Sequence, residues 1–173
     1  MKNVKKILAL LIALVLALSL TACGVGSVST VSSTGTLTIT EGKADPAASD
    51  YANDIDGFIA YLKDCELIAG EATDMSADFI GAVKGKQFCF TLADATVVVE
   101  LYEYDLNNLS EKAASNLESV KTAGKLDILG KAINAKINTE GKFVLIYSID
   151  KTGEAFDSYK VDLEKNFTEF LGK

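Results

Sequence analysis

Three carboxylates on one segment are the residues of this 173-residue chain best suited to acid–base chemistry. Glu100, Glu103 and Asp105 lie in a run rich in β-branched and aromatic residues, which predicts a strand over 96–105. Glycoside hydrolysis would need one protonated and one ionised carboxyl group about 5–10 Å apart. Nothing near these residues predicts a deep, dry cleft, and the chain has no Trp to form a sugar platform. We therefore predict solvated strand positions and no enzymatic activity.

A second acidic group, at the start of the first predicted helix, could be considered for calcium binding. Asp50, Asp54 and Asp56 lack the alternating Asp/Asn pattern with Gly and a terminal Glu that builds a calcium loop. The helix dipole favours carboxylates in a first turn, which explains their position. The sequence therefore predicts no metal site and no cofactor.

Two cysteines, Cys65 and Cys89, are the remaining reactive side chains of the predicted folded domain. Cys65 falls on a predicted helix, and Cys89 falls on a predicted strand, on the side opposite Phe88 and Phe90. We predict two separate thiols, with Cys65 buried as a small apolar side chain. A Cys65–Cys89 disulfide is the alternative, because export from the cytoplasm would permit it.

The charged residues exclude several classes of function. All 17 basic residues are Lys, and there is no Arg or His. This composition excludes Ser-His and Cys-His nucleophile pairs, His-ligated metals and arginine fingers. Beyond the three lysines among the first six residues, 14 Lys face 24 acidic residues, a net charge of −10. An acidic chain without a basic stripe is a poor nucleic-acid binder, so we predict no nucleic-acid partner.

The first 23 residues have the order of an export signal. Lys2, Lys5 and Lys6 precede an unbroken apolar run of twelve residues, Ile7–Leu18, which is too short to span a bilayer comfortably. The run leads to Leu20-Thr21-Ala22-Cys23. This motif resembles the lipobox of bacterial lipoproteins, in which the Cys receives a diacylglyceryl group and becomes the first residue of the mature protein.

That resemblance implies a domain organisation and a location. Residues 1–22 would be a lipoprotein signal peptide, and Cys23 would anchor the protein to the outer side of the cell membrane. Residues 24–48 are rich in Gly, Ser, Thr and Val, so 23–48 is predicted to be the lipidated Cys and a flexible tether. Thr36–Thr40 alternates and is the one place in it where a short strand is considered.

Periodic segments occupy residues 49–173, which we predict to be one globular domain. Helical spacing marks three helices, and alternation marks two hairpins, in the order α-ββ-α-ββ-α. The predicted strands are 86–92, 96–105, 131–138 and 142–150, with 125–129 as a possible fifth. Short hairpin links require antiparallel pairing. The predicted fold class is α+β: an antiparallel sheet of about four to five strands with three helices on one face.

Helices on one face would leave the other sheet face open. That face would carry Glu100, Tyr102 and Tyr104, and Tyr is a favoured interface residue, so we predict a partner-binding face there. The alternative is that the segment 70–85 covers this face and makes these residues core. The chain also resembles small Gram-positive envelope lipoproteins, through Ala77–Ala82 and Val99–Asp105. No chemistry comes with that resemblance.

These observations predict a membrane-anchored extracytoplasmic lipoprotein that acts as a non-enzymatic binding module. Its partner would be an envelope protein, a peptide or a cell-wall component. One alternative is a small-molecule or peptide binder that serves a transporter, although the domain is small for the two-lobed clamp of such binders. A hydrolase that uses Glu100, Glu103 and Asp105 is the least favoured alternative.

Overall fold

The predicted α+β class is confirmed by the computed structural model, which describes residues 35–40 and 43–173. The predicted signal peptide and Cys23 lie outside the described residues. The helices are α1 (Ile55–Asp64), α2 (Glu111–Ala123) and α3 (Glu154–Glu169). The strands are β1 (Gly35–Leu37), β2 (Thr73–Asp74), β3 (Lys84–Leu92), β4 (Ala95–Glu103), β5 (Lys125–Ile128), β6 (Lys131–Asn134), β7 (Lys136–Ile137) and β8 (Phe143–Ile149). Within the described ranges, no helix is long and apolar enough to cross a membrane.

Six of the strands form one sheet, in the order β1-β3-β4-β8-β7, with β2 also paired to β3. All its pairs are antiparallel except β1 with β3, so the sheet is mixed and not purely antiparallel as predicted. β5 and β6 form a separate hairpin. The predicted strand 131–138 divides at Ala135, which is buried and donates its N–H to the carbonyl of Gly124.

Local sequence accounts for the ends of α1 and α2. Asp54 caps α1, since its Oδ1 accepts a hydrogen bond from the Gly57 N–H at 2.8 Å. A Cβ on Gly57 would lie 2.2 Å from the Ala52 carbonyl oxygen, so the chain approaches too closely for any other residue. Ser110 caps α2 by accepting from the Ala113 N–H at 3.1 Å, and Gly124 ends it at a φ of 64°.

The helices lie on both faces of the sheet, so the prediction of three helices on one face is wrong. α1 and α3 cover a face that contains Phe88, Val99 and Leu145. α2 lies on the opposite face, against residues such as Tyr102, Tyr104 and Val144, together with the segment 75–82. Where β4 ends and β8 begins, both faces of the sheet carry large apolar side chains. Each face therefore needs its own cover.

The predicted tether contains part of the fold. β1 pairs with β3 through Gly35–Leu37, and Leu37 is only 6% exposed in the core. Beyond it, the Thr40 N–H donates to Glu66 Oε2 at 2.6 Å, and Lys43 Nζ lies 3.0 Å from Glu66 Oε1. The folded domain therefore includes residues that the sequence assigned to the flexible segment 23–48. β1 overlaps the Thr36–Thr40 stretch at which a short strand was the alternative, although the observed strand is Gly35–Leu37.

Candidate functional site

The predicted partner-binding face is closed where its tyrosines lie. Tyr102 and Tyr104 are 1% and 0% exposed. The Tyr102 hydroxyl donates to Glu100 Oε2 at 3.0 Å, and Gln87 Nε2 donates to Glu100 Oε1 at 2.9 Å. α2 and the segment 75–82 cover these rings. The covering segment was the stated alternative, and the tyrosines are core residues rather than a surface patch.

The three candidate catalytic carboxylates do not come together. Glu100 and Glu103 are an odd number of residues apart on β4, so their side chains lie on opposite faces of the sheet. The Glu103 carboxylate is buried, 3.2 Å from Lys142 Nζ and 3.7 Å from Lys84 Nζ. Asp105 lies in an exposed turn, where its Oδ1 accepts from the Asn107 N–H. The arrangement offers no acid–base pair for hydrolysis.

The acidic cluster at the start of α1 is explained by helix capping. Asp54 is engaged as the cap of α1. Nowhere in 35–40 and 43–173 do three or more Cys, Asp or Glu side chains meet in a group that could hold a metal.

Cys65 and Cys89 are thiols and are not joined to each other. Burial raises the pKa of the Cys65 thiol to about 11, which disfavours the reactive thiolate at neutral pH.

A cavity of about 370 Å³ lies at the β7 edge of the sheet, between the end of α2 and the face of α3. We call it the β7 cavity. Its walls are Gly124, the segment 134–136, Leu145 and Tyr147 of β8, and Glu164 of α3. The volume is at the lower end of the range for small-molecule sites. Its size suits a small organic molecule rather than a folded partner.

Three polar side chains converge in this cavity. The Tyr147 hydroxyl donates to Glu164 Oε1 at 2.5 Å, and Lys136 Nζ lies 2.9 Å from Glu164 Oε2. Burial raises the pKa of Glu164, but the hydrogen bonds from Lys136 and Tyr147 outweigh it, so the net pKa is lowered. Burial and the Glu164 contact both raise the pKa of Tyr147. At neutral pH the cavity therefore presents a carboxylate and a protonated phenol.

This arrangement is suited to binding rather than to covalent catalysis. Lys136 has further N–H groups to offer, since an ammonium has three donors, and Glu164 has further lone pairs. Leu145 and Ala135 supply an apolar wall. A phenol with a raised pKa is a hydrogen-bond donor and a poor base or nucleophile. This combination of hydrogen-bond donors and acceptors matches a small ligand that carries both a positive and a negative group.

Comparisons with protein-family models, with curated proteins and with solved structures found no match for this chain. The functional assignment therefore depends on the site itself.

The sequence analysis missed Lys136 and Glu164. They are 28 positions apart, on a two-residue strand and a long amphipathic helix, where each looks like any exposed charge. Tyr147 falls within the predicted strand 142–150 and lies on β8, but nothing in that strand marks it as part of a site. No local pattern links the three. Only the packing of α3 beside β7 and β8 brings them together.

Proposed function

We propose that this protein is a lipid-anchored binding module on the outer side of the cell membrane, which holds a small zwitterionic ligand in the β7 cavity. An amino acid or a short peptide has the required chemistry. The observation that carries the binding proposal is the Lys136–Glu164–Tyr147 cluster, which presents opposite charges side by side in one cavity. Binding without catalysis agrees with the separation of the candidate carboxylates Glu100 and Glu103.

The lipid anchor is supported by the lipobox-like Leu20–Cys23 behind a short apolar run. Two acyl chains on Cys23 would hold the protein almost permanently, since a single chain gives only marginal attachment. Twelve peptide units separate Cys23 from Gly35, the first residue of β1, and they reach at most about 40 Å. β1 would therefore remain close to the bilayer that holds the anchor.

The anchor is tested by mass spectrometry of the protein extracted from membranes. We expect residues 1–22 to be absent and Cys23 to carry a diacylglyceryl adduct. The Cys23→Ala protein should lose the anchored form and appear unlipidated. An intact N-terminus in the membrane fraction of the natural protein would contradict the anchor.

The ligand site is tested by titrating the protein with free amino acids and dipeptides in a calorimeter. We expect Glu164→Gln and Lys136→Gln to weaken binding of a hit at least about tenfold, because each removes one of the two charges that hold the ligand. Lys86→Gln is the matched control, since Lys86 forms a similar ion pair with Asp74 at 2.5 Å on β3, which β4 and β8 separate from β7. Equal losses in all three variants, or no binding across the panel, would refute the ligand site.

A further inference from the structure

The tip of the β5–β6 hairpin has an exposed leucine in an unfavourable backbone conformation. Leu129 is 87% exposed, the most exposed of the large apolar side chains in the described residues. It has a φ of 53°, and Gly130 beside it has a φ of 83°. Two-residue hairpin turns of this kind favour Asn-Gly or Asp-Gly, because Asn and Asp tolerate a positive φ better than Leu does. Neither packing nor turn geometry accounts for a leucine here.

The hairpin is also locally basic in a strongly acidic chain. Residues 121–136 contain four Lys and one acidic residue, Asp127. Lys121, Lys125 and Lys131 are exposed, and none of the three forms an ion pair with another described residue. The single carboxylate is engaged in the turn, where Asp127 Oδ1 accepts from the Gly130 N–H at 2.9 Å. Lys131 lies beside the tip, whereas Lys125 lies at the base of the hairpin, where its ammonium donates to the Asn134 side chain. With Asp127 counted, the three lysines leave this region with a net positive charge that an anionic partner could meet.

A second exposed apolar residue provides a comparison with the charge that surrounds Leu129. Val161 on α3 is 65% exposed, but it lies in a groove lined by Glu154, Asp157 and Asp162. An anionic surface would repel that position. At the tip, by contrast, the exposed Leu129 is flanked by Lys131, which forms no ion pair with another described residue.

We propose that the β5–β6 hairpin tip contacts an anionic bilayer, with Leu129 entering the headgroup region, Lys131 at the lipid phosphates beside it, and Lys121 and Lys125 adding attraction from the base of the hairpin. Apolar insertion and attraction of lysines to anionic lipid are the two contributions that hold peripheral proteins on membranes. The inference depends on the proposed lipid anchor, because the anchor keeps the tip at a high local concentration near the bilayer. The acidic remainder of the domain is repelled, so the contact orients the domain with the hairpin toward the membrane.

The chain has no Trp, so a single Trp placed at the tip reports on its own surroundings. The mature protein with Leu129→Trp is purified from membranes and reconstituted in vesicles of phosphatidylglycerol with phosphatidylcholine, or of phosphatidylcholine alone. Val161→Trp is the matched control. We expect the emission of the Leu129→Trp protein to shift to shorter wavelength and to be quenched by brominated acyl chains in the anionic vesicles only. Replacing Lys121, Lys125 and Lys131 together with Gln, or adding high salt, should abolish both effects.

The outcomes separate this inference from the anchor. If the protein floats with the vesicles and the Leu129→Trp variant is quenched no more than the Val161→Trp variant, the hairpin contact is refuted while the anchor stands. Quenching that is equal in both lipids, or unchanged by the lysine substitutions, also refutes it. If the protein does not float with the vesicles, the anchor fails and the inference fails with it. Thermal melting shows that each variant is folded before it is used.

Discussion

At the scale of single residues, Glu103 is the charged group most deeply involved in the fold. The residue is 7% exposed, and its carboxylate contacts Lys142 and Lys84. It also accepts the backbone N–H of Ile55 at 3.3 Å, at the start of α1, where the helix dipole favours a negative charge. One side chain thereby joins β4 to α1 and to the segment that precedes β8.

We expect Glu103→Ala to destabilise the domain by about 2 kcal/mol, because the Ile55 N–H and the partly buried Lys142 ammonium lose their carboxylate acceptor. Glu103→Gln should cost less, since an amide oxygen can still accept from Ile55. Urea denaturation measures both. Asp94→Ala is the control: its ion pair with Lys151 is exposed to solvent, so its loss should change the stability little. Equal effects at Glu103 and Asp94 would contradict the structural role of Glu103.

Cys65 provides a pH-dependent prediction. Burial raises the pKa of its thiol to about 11, so the thiol is protonated at pH 8 and only the rare thiolate reacts. The rate of iodoacetamide labelling at Cys65 should rise by nearly tenfold for each pH unit between about 8 and 10, as followed by peptide mass spectrometry. In urea, labelling at pH 8 should be fast. Rapid labelling of the native protein at neutral pH, or a mass that shows a Cys65–Cys89 disulfide, would contradict this prediction.

At the scale of elements, α2 is held against the sheet by close contact with a turn. Gly81 follows the short 3₁₀ turn Asp78–Ile80 and has a φ of 81°. A Cβ built there would lie 2.8 Å from the Ala113 Cβ on α2. Asn116 of α2 reinforces the contact, since its Nδ2 donates to the Ile80 carbonyl at 2.9 Å. This contact keeps α2 over Tyr102 and Tyr104.

Gly81→Ala should therefore destabilise the domain through both backbone strain and the clash with α2. Gly130→Ala measures the backbone strain without the clash, since Gly130 has a φ of 83° but nothing within 4 Å of a new Cβ. We expect about 1 kcal/mol for Gly130→Ala and about 2–3 kcal/mol for Gly81→Ala. Denaturant melts of the two variants give the comparison. Equal losses of stability would mean that the contact between α2 and this turn adds nothing to the cost of Gly81→Ala.

At the scale of the whole molecule, the folded domain starts earlier than its periodic segments indicate. Leu37 fills part of the core on the α1–α3 face, and Lys43 and Thr40 are held by Glu66. A Cβ on Gly35 would lie 2.5 Å from the Gly70 backbone nitrogen, so β1 is closely enclosed on that side. The segment that enters the domain from the proposed anchor is thus part of its structure.

A fragment of residues 49–173 should be less stable than a fragment of residues 35–173. Removing the buried Leu37 side chain alone costs about 1.5–3 kcal/mol, and the paired strand is lost with it. Thermal melts followed by circular dichroism measure the difference, and Leu37→Ala in the longer fragment is the intermediate case. Identical midpoints for the two fragments would restore the boundary at residue 49.

The sequence by itself determined the elements with long, clear periods. The alternation in β3, β4 and β8 and the helical spacing in α1, α2 and α3 depend on neighbouring residues, so the α+β class could be predicted. The composition likewise excludes His- and Arg-dependent chemistry. The lipobox-like segment remains a prediction, since it lies outside the described residues.

Tertiary structure alone decided which surfaces are buried and which side chains meet. The alternation on β4 puts Tyr102 and Glu100 on one face, but it does not show whether a helix covers that face. α2 covers the tyrosines because its apolar stripe packs there, through contacts far apart in the sequence. β1 gains its strand conformation from pairing with β3, and the β7 cavity exists only because α3 brings Glu164 to Lys136 and Tyr147. Long-range packing carries this information, and no local pattern in the chain encodes it.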